Sequence, residues 1–376
     1  MMLSLLGYQR LNCGMTSLRD IILSQPALAL AVLGLAIGLC FGGLASATNF
    51  CVMGAVSDWR TFGDRGRLGA AAVAAATAIA GTQLLHHIGT VDLAHSMYLS
   101  PRINWAGAVI GGVLFGAGMV LAGGCASRNL VRAGGGDIRS FVTLLVLSVT
   151  AFAAISGVLG PVRSGLESAT ALDTRRFGLS GQSLADFAAG FGLAGGAARL
   201  CASLLIALPL LLFALGPARI FAKPSNLAGG GGVGLLVVAS WLVTGLAYDE
   251  MAVHPVMPTS LSFVRPVGDA FDWLQHSTAL GLPGFGAATV FGVLFGSFAV
   301  AAARGRLAIT GFANRADLSR HLSGAVLMGV GGVLGLGCSI GQGISGLSTL
   351  AIQSVIAASA ILTGAVLALR RLERNV

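Results

Sequence analysis

Long apolar runs separated by short polar stretches dominate the chain. They lie at about residues 27–45, 68–88, 105–122, 140–160, 198–216, 230–247, 285–303, 322–337 and 350–369. Each reaches or approaches the ~20 residues that an α-helix needs to cross a bilayer. The pattern therefore predicts an all-α polytopic membrane protein with about nine transmembrane helices. A weaker apolar stretch at 183–197 is split by Gly190, Gly192, Gly195 and Gly196 and predicts a partial or tilted helix. Two connections are long: 161–182, of mixed charge, and 248–284, which carries Asp249, Glu250, Asp269 and Asp272 and suits the outer face. Near the start, Tyr8, Gln9 and Arg10 interrupt the apolar sequence and no small-residue cleavage site follows, so a cleaved signal peptide is not expected.

Composition strengthens this reading. Of 376 residues, 55% are hydrophobic and only 10% charged, against about 25% charged in a soluble domain. Too few polar side chains remain to cover a water-soluble globule. Glycine, at 56 residues, is about twice as frequent as usual. In membranes small residues let helix backbones approach closely, and glycine permits the turns at which a helix breaks inside the bilayer.

The net charge of +9 is nearly all arginine, with Lys223 the only lysine. Because the arginines sit in short loops between apolar runs, topology explains them and nucleic acid need not be invoked. Arg60, Arg65 and Arg67, then Arg128, Arg132 and Arg139, then Arg304, Arg306, Arg315 and Arg320, and finally Arg370, Arg371 and Arg374 form four groups. The positive-inside rule places all four, and the C-terminus, in the cytoplasm of a cell whose inner (plasma) membrane holds the chain. Arg10 and Arg19 also favour the inside, which conflicts with an odd number of crossings and leaves the N-terminal orientation open.

An internal repeat organises the chain. Gly111–Cys125 (GGVLFGAGMVLAGGC) set over Gly324–Cys338 (GAVLMGVGGVLGLGC) matches at nine of fifteen positions, including the terminal cysteines. A fainter match pairs Gly34, Gly38 and Gly54 with Gly292, Gly296 and Gly311, which would put Ala308 opposite Cys51. The expectation is one integral membrane domain, 1–376, with halves at 27–160 and 285–369 joined by 161–284. Basic residues follow Cys125 but precede the Cys338 helix, so the halves are expected to be inverted, with broken helices meeting near the midplane to form a solute site.

The candidate chemistry lies at three such breaks: Asn49–Ala55, Gly123–Asn129 and Gly335–Gly343. Each carries one cysteine, Cys51, Cys125 or Cys338. A thiol is a soft, polarisable, weak hydrogen-bond donor, and exposed amides at turns and helix N-termini attract anions without fixed charge. Such a site binds weakly enough to release its solute. The candidate substrate contacts are Cys51, Cys125, Cys338, Gly124, Ser127, Arg128, Asn129, Gly337, Ser339, Gly341 and Gln342. Asn129 and Gln342 could equally serve to satisfy turn backbone. Cys13, Cys40 and Cys201 read as packing residues, and His86 and His87 as interfacial. No two cysteines stand two or three residues apart, so neither a CxxC redox motif nor a zinc ribbon is present. Gly229–Gly232 lacks the Lys-Ser/Thr of a phosphate loop. No metal, cofactor or catalytic residue is expected.

The motifs Phe50-Cys51-x-x-Gly54-Ala55, Ala122-Gly123-Gly124-Cys125-Ala126-Ser127 and Gly337-Cys338-x-x-Gly341-x-Gly343 resemble those of the YeeE/YedE sulfur-transport family, which includes thiosulfate permeases. The run from Gly123 to Gly136 looks like its long-form branch. The resemblance implies a permease, not an enzyme, for thiosulfate or a related sulfur anion. In it, Cys51, Cys125 and Cys338 would contact the anion in turn, and a cytosolic sulfur-carrier protein would receive the delivered sulfur. Arg128 stands where shorter relatives often have glycine, which bears on which oxyanion is taken. The competing classes are a membrane thiol or persulfide redox protein and a transporter of another small solute.

Overall fold

The computed structural model describes residues 19–374 except 180, 191, 193, 253 and 254. Tyr8, Arg10 and Cys13 fall outside the described residues. The chain is a helical membrane bundle. Its helices are α1 (Pro26–Thr48), α2 (Val52–Phe62), α3 (Gly66–His87), α4 (Trp105–Leu121), α5 (Ala126–Gly134), α6 (Ile138–Ile155) and α7 (Gly160–Thr170). After these come α8 (Leu184–Gly190), α9 (Gly195–Leu215), α10 (Pro224–Leu246), α11 (Arg265–Leu280), α12 (Phe285–Ala303), α13 (Arg315–Leu334) and α14 (Ile352–Glu373). The strands of the described residues are one short antiparallel pair, β1 (Arg102–Ile103) with β2 (Leu172–Asp173).

Among the described residues, eight helical segments are long and apolar enough to cross a membrane. The expected ninth span at 322–337 belongs to α13, whose first two turns carry Arg315, Asp317, Arg320 and His321 and so fall short on composition. The weak stretch at 183–197 becomes the single short helix α8 and the start of α9. Its glycines stop the helix before it can span.

Glycines set the direction of each helix pair. Along α1 and α12, Gly34 faces Ala288, Gly38 faces Gly292, and Arg304 donates to the Ala47 carbonyl (3.1 Å), so the two run parallel. Along α3 and α10, Gly230 meets Ala70 and Gly234 meets Ala74, again in parallel. By contrast α4 and α13 run antiparallel: Gly111 lies on Gly331 and Gly118 on Gly324. Helix α14 lies parallel to α4, with Gly112 on Ala357 and Gly116 on Ile361, while Gly329 of α13 lies on Leu147 and Thr150 of α6. With no hydrophobic drive between helices in lipid, this close backbone approach supplies the dispersion contact that holds them together.

The pairings also fix the faces. Arg60 at the end of α2 bonds Glu373 at the end of α14 (3.3 Å), and Arg304 reaches the end of α1. The four arginine groups therefore share one end of the bundle, as charge placement leads one to expect.

Candidate functional site

Three helices break in the same way. Asn49 (φ 55°), Gly123 (φ 65°) and Leu336 (φ 57°) adopt left-handed backbone after α1, α4 and α13. Each stands two residues before a cysteine. Glycine and asparagine enter this region readily, whereas leucine pays steric cost there and persists only where its surroundings impose it. The left-handed residue ends one helix, and the chain then restarts with the cysteine at or beside the first turn of the next element.

Two thiols act as caps at these restarts. Cys51 is the N-cap of α2, and its Sγ accepts from the Gly54 amide at 3.3 Å. Cys338 Sγ accepts from the Gly341 amide at 3.3 Å, at the head of the π-helical turn Gly341–Gly346. Cys125 caps α5 without such a bond and instead lies 3.2 Å from Ser127 Oγ. A sulfur that accepts from an amide keeps its S–H free to donate elsewhere, and each thiol sits where exposed helix N–H groups make the local field positive. π-turns of this kind are rare and recur at functional sites.

The fold gathers all three. Cys51 and Cys125 are close neighbours, and Cys338 lies near enough to Cys125 to share its electrostatic environment. All are buried. Ser339 Oγ, buried without a hydrogen-bond partner, lies near Cys125. Arg128 approaches from the arginine-bearing end, its Nη2 3.4 Å from Asn49 Oδ1.

The remaining sequence candidates fall into two groups. Gly124, Gly337 and Gly341 are the backbone of the breaks, and Gly337 also lines a cavity described below. Asn129 and Gln342 hold the breaks shut from behind. Asn129 Nδ2 donates to the Gly124 and Cys125 carbonyls (2.9 and 3.2 Å), and Gln342 Nε2 to the Gly335 carbonyl (2.7 Å). Gln342 Oε1 is buried without a partner. Cys40 and Cys201 stand exposed on the outer faces of α1 and α9, so they do not pack inside the bundle as expected.

Sequence reading missed several groups around the thiols. Arg67 donates to Asp58 (3.0 Å) and to the Asn49 carbonyl, laying its guanidinium across Gly54. Tyr98, buried with an unpartnered hydroxyl, approaches Gly341 from the opposite end. Neither has a sequence signal: Arg67 reads only as one of the loop arginines until the turn before α3 folds it back over α2, and Tyr98 is brought in by a loop distant in the chain.

At the end remote from the arginine groups, a cavity of about 550 Å³ is lined by Leu336 and Gly337, by Ser262, and by Arg163 and Arg265. Both arginines are paired, Arg163 with Glu167 (2.8 Å) and Arg265 with Asp269 (3.7 Å). At the other end of the thiol group a constricted pocket of about 10 Å³ touches Cys51.

Broken helices meeting at a buried polar junction inside a multi-pass bundle define a membrane protein of the transport type. The chain belongs to the Sulphur transport family, whose pattern it matches over residues 47–367. It is 26% identical over 337 residues to the thiosulfate transporter TsuA of Spirochaeta thermophila, covering 88% of this chain and 96% of that one. Shorter matches are to the Escherichia coli thiosulfate transporter TsuA, 33% identical over 116 residues, and to the E. coli probable transporter YedE, 36% over 120 residues. These span 31% of this chain and 32% and 26% of the two relatives.

Proposed function

We propose that this protein carries thiosulfate, or a closely related sulfur anion, across the bacterial inner membrane through its three thiols. The observation that carries the reading is the convergence of Cys51, Cys125 and Cys338, from breaks far apart in sequence, at one buried junction. Thiosulfate has a soft terminal sulfur and hard sulfonyl oxygens. Soft thiols suit the first, and the amides of the helix starts suit the second. The anion enters from the larger cavity at Gly337, passes Cys338, Cys125 and Cys51, and leaves at the arginine-bearing end, which the positive-inside rule assigns to the cytoplasm. Because the arginines of the outer cavity are already paired, it admits the anion without trapping it. Asn129 and Gln342 position the breaks, and Arg128 steadies the charge near Cys51. A cytosolic sulfur-carrier protein would collect the cargo at that same end.

The helix directions support inverted halves that differ from the glycine matches. In this division α1, α3, α4 and α6 (26–155) correspond to α10, α12, α13 and α14 (224–373). The α1–α12 and α3–α10 pairs then exchange under one pseudo-two-fold, as do α4–α14 and α13–α6. Helix α11, capped by Val264, corresponds to α2, so Cys51 has no thiol counterpart.

The test is growth of a host without other thiosulfate or sulfate importers, on thiosulfate as sole sulfur source. Replacement of Cys51, Cys125 or Cys338 by Ala should abolish growth while Cys40→Ala and Cys201→Ala grow normally. Equal growth of all five sinks the thiol route. A redox protein would instead show these thiols cycling between free and cross-linked forms during turnover.

A further inference from the structure

The three-thiol reading leaves open how the anion departs from Cys51. The direct route toward the arginine-bearing end is obstructed. Arg67 lies across it, bound to Asp58 and the Asn49 carbonyl, with both partners of the ion pair about three-quarters buried. A methyl group added at Gly54 would sit 2.7 Å from its guanidinium.

A second route runs sideways. The small pocket at Cys51 is walled by Thr48, Phe50, Arg67, Asn226 and Gly229. Asn226 is buried in the first turn of α10, and it also lines a second cavity, of about 410 Å³. That cavity lies between the loop before α3 and the loop before α10, and its charged groups are Asp64, Arg65, Arg219 and Lys223. Lys223 is paired with Asp64 (2.9 Å), whereas among the described residues Arg65 and Arg219 have no carboxylate within ion-pair distance. Arg219 is moreover held in left-handed backbone (φ 45°), a conformation that a non-glycine residue keeps only where its surroundings impose it. Two parallel helices, α3 and α10, begin at this cavity and add the positive ends of their dipoles. The outer cavity has its arginines neutralised, whereas the inner one keeps a surplus of two positive charges.

We propose that the anion leaves Cys51 laterally, past Asn226, into this inner basic vestibule formed by Arg65, Arg219 and Lys223. The neck of about 10 Å³ holds at most a water molecule. Passage therefore requires the Asn226 side chain and the first turn of α10 to move aside, which makes Asn226 the inner constriction. The unpaired arginines draw the anion out of the low-dielectric neck, and hydration in the wide vestibule releases it. This inference rests on the transport reading above.

The experiment uses the full wild-type chain in sealed inverted vesicles, with the arginine-bearing face outward. A sulfonate-bearing methanethiosulfonate reagent and a trimethylammonium one of similar size are applied separately, and modification of Cys51 is read by peptide mass spectrometry. The anionic reagent should modify Cys51 faster than the cationic one, and added thiosulfate should slow it. Arg219→Glu should slow the anionic reagent about fivefold and speed the cationic one, as expected for a charge reversed in a partly hydrated mouth. Arg219→Lys should behave as wild type, which separates charge from folding. Asn226→Trp should slow both reagents about tenfold, the steric signature of a narrowed neck. The proposal is overturned if wild-type Cys51 is not modified from this face, or if Arg219→Glu leaves the ratio of the two rates unchanged. Thiosulfate uptake by the same vesicles is measured in parallel. Loss of uptake with intact charge-dependent labelling refutes the transport reading and spares the route, whereas the reverse refutes the route alone.

Discussion

The antiparallel α4–α13 seam can be tested by adding one methyl group to each side of it. A Cβ at Gly118 would lie 2.6 Å from the Gly324 carbonyl and 2.8 Å from the Met328 amide nitrogen. A Cβ at Gly331 would lie 2.6 Å from both the Gly111 carbonyl and the Phe115 amide nitrogen. All four neighbours are backbone, so no side chain can rotate away. Ordinary contact begins near 3.4 Å, so the helices must part by 3.4 − 2.6, about 0.8 Å. A gap of that size forfeits a quarter to a half of each dispersion contact along the seam, which includes the buried Phe115, Met119, Ala325 and Met328. Overpacking of this kind costs about 1–3 kcal/mol, here toward the upper end. Replacing a helical glycine by alanine returns about 1 kcal/mol. The net expectation is a loss of about 2 kcal/mol for Gly118→Ala and for Gly331→Ala. Gly231→Ala, with nothing near its added methyl, should gain about 1 kcal/mol. The double variant should lose clearly less than the sum, because one parting of the seam accommodates both methyls. Unfolding titrations in mixed SDS micelles measure all four. If Gly118→Ala and Gly331→Ala unfold at or above the wild-type midpoint, the seam is not backbone-tight and the helix directions drawn from it fail.

Asn49→Gly should fold as well as wild type but transport less, since glycine keeps the left-handed turn and loses the amide that meets Arg128. Asn49→Ala should lose about 1 kcal/mol as well, read by the same titration. Leu350→Gly relieves left-handed strain (φ 62°) but removes a fully buried side chain. The burial term of several kcal/mol should dominate, so the variant unfolds earlier. Ser127→Ala, which removes only the 3.2 Å contact to Cys125, should slow radiolabelled thiosulfate uptake several-fold without abolishing it. The same rate as wild type would show that Ser127 does not orient the thiol.

The sequence by itself determined that the chain spans a membrane many times, because bilayer thickness fixes the length of an apolar helix regardless of its neighbours. It also located the three cysteine breaks, since each interrupts an apolar run with glycine or asparagine, and it placed the arginine groups on one face. The left-handed residue of the third break is Leu336, however, which local pattern does not mark. Its fainter glycine match, Gly34 and Gly38 with Gly292 and Gly296, instead marks two helices that lie parallel and in direct contact. Equivalent helices of an inverted repeat run antiparallel. Glycine recurs on α1 and α12 because each backbone needs room for the other, so the likeness records a shared packing demand. Only the tertiary structure decided that Cys51 meets Cys125, that Arg67 crosses beneath it, and that Asn226 stands between two cavities. Cys125 and Asn226 come to Cys51 from helices far apart in the chain, and nothing in the local pattern of any one of them encodes which other helix it will face. Close packing of small residues does, and that is a property of surfaces that exist only once the bundle has formed.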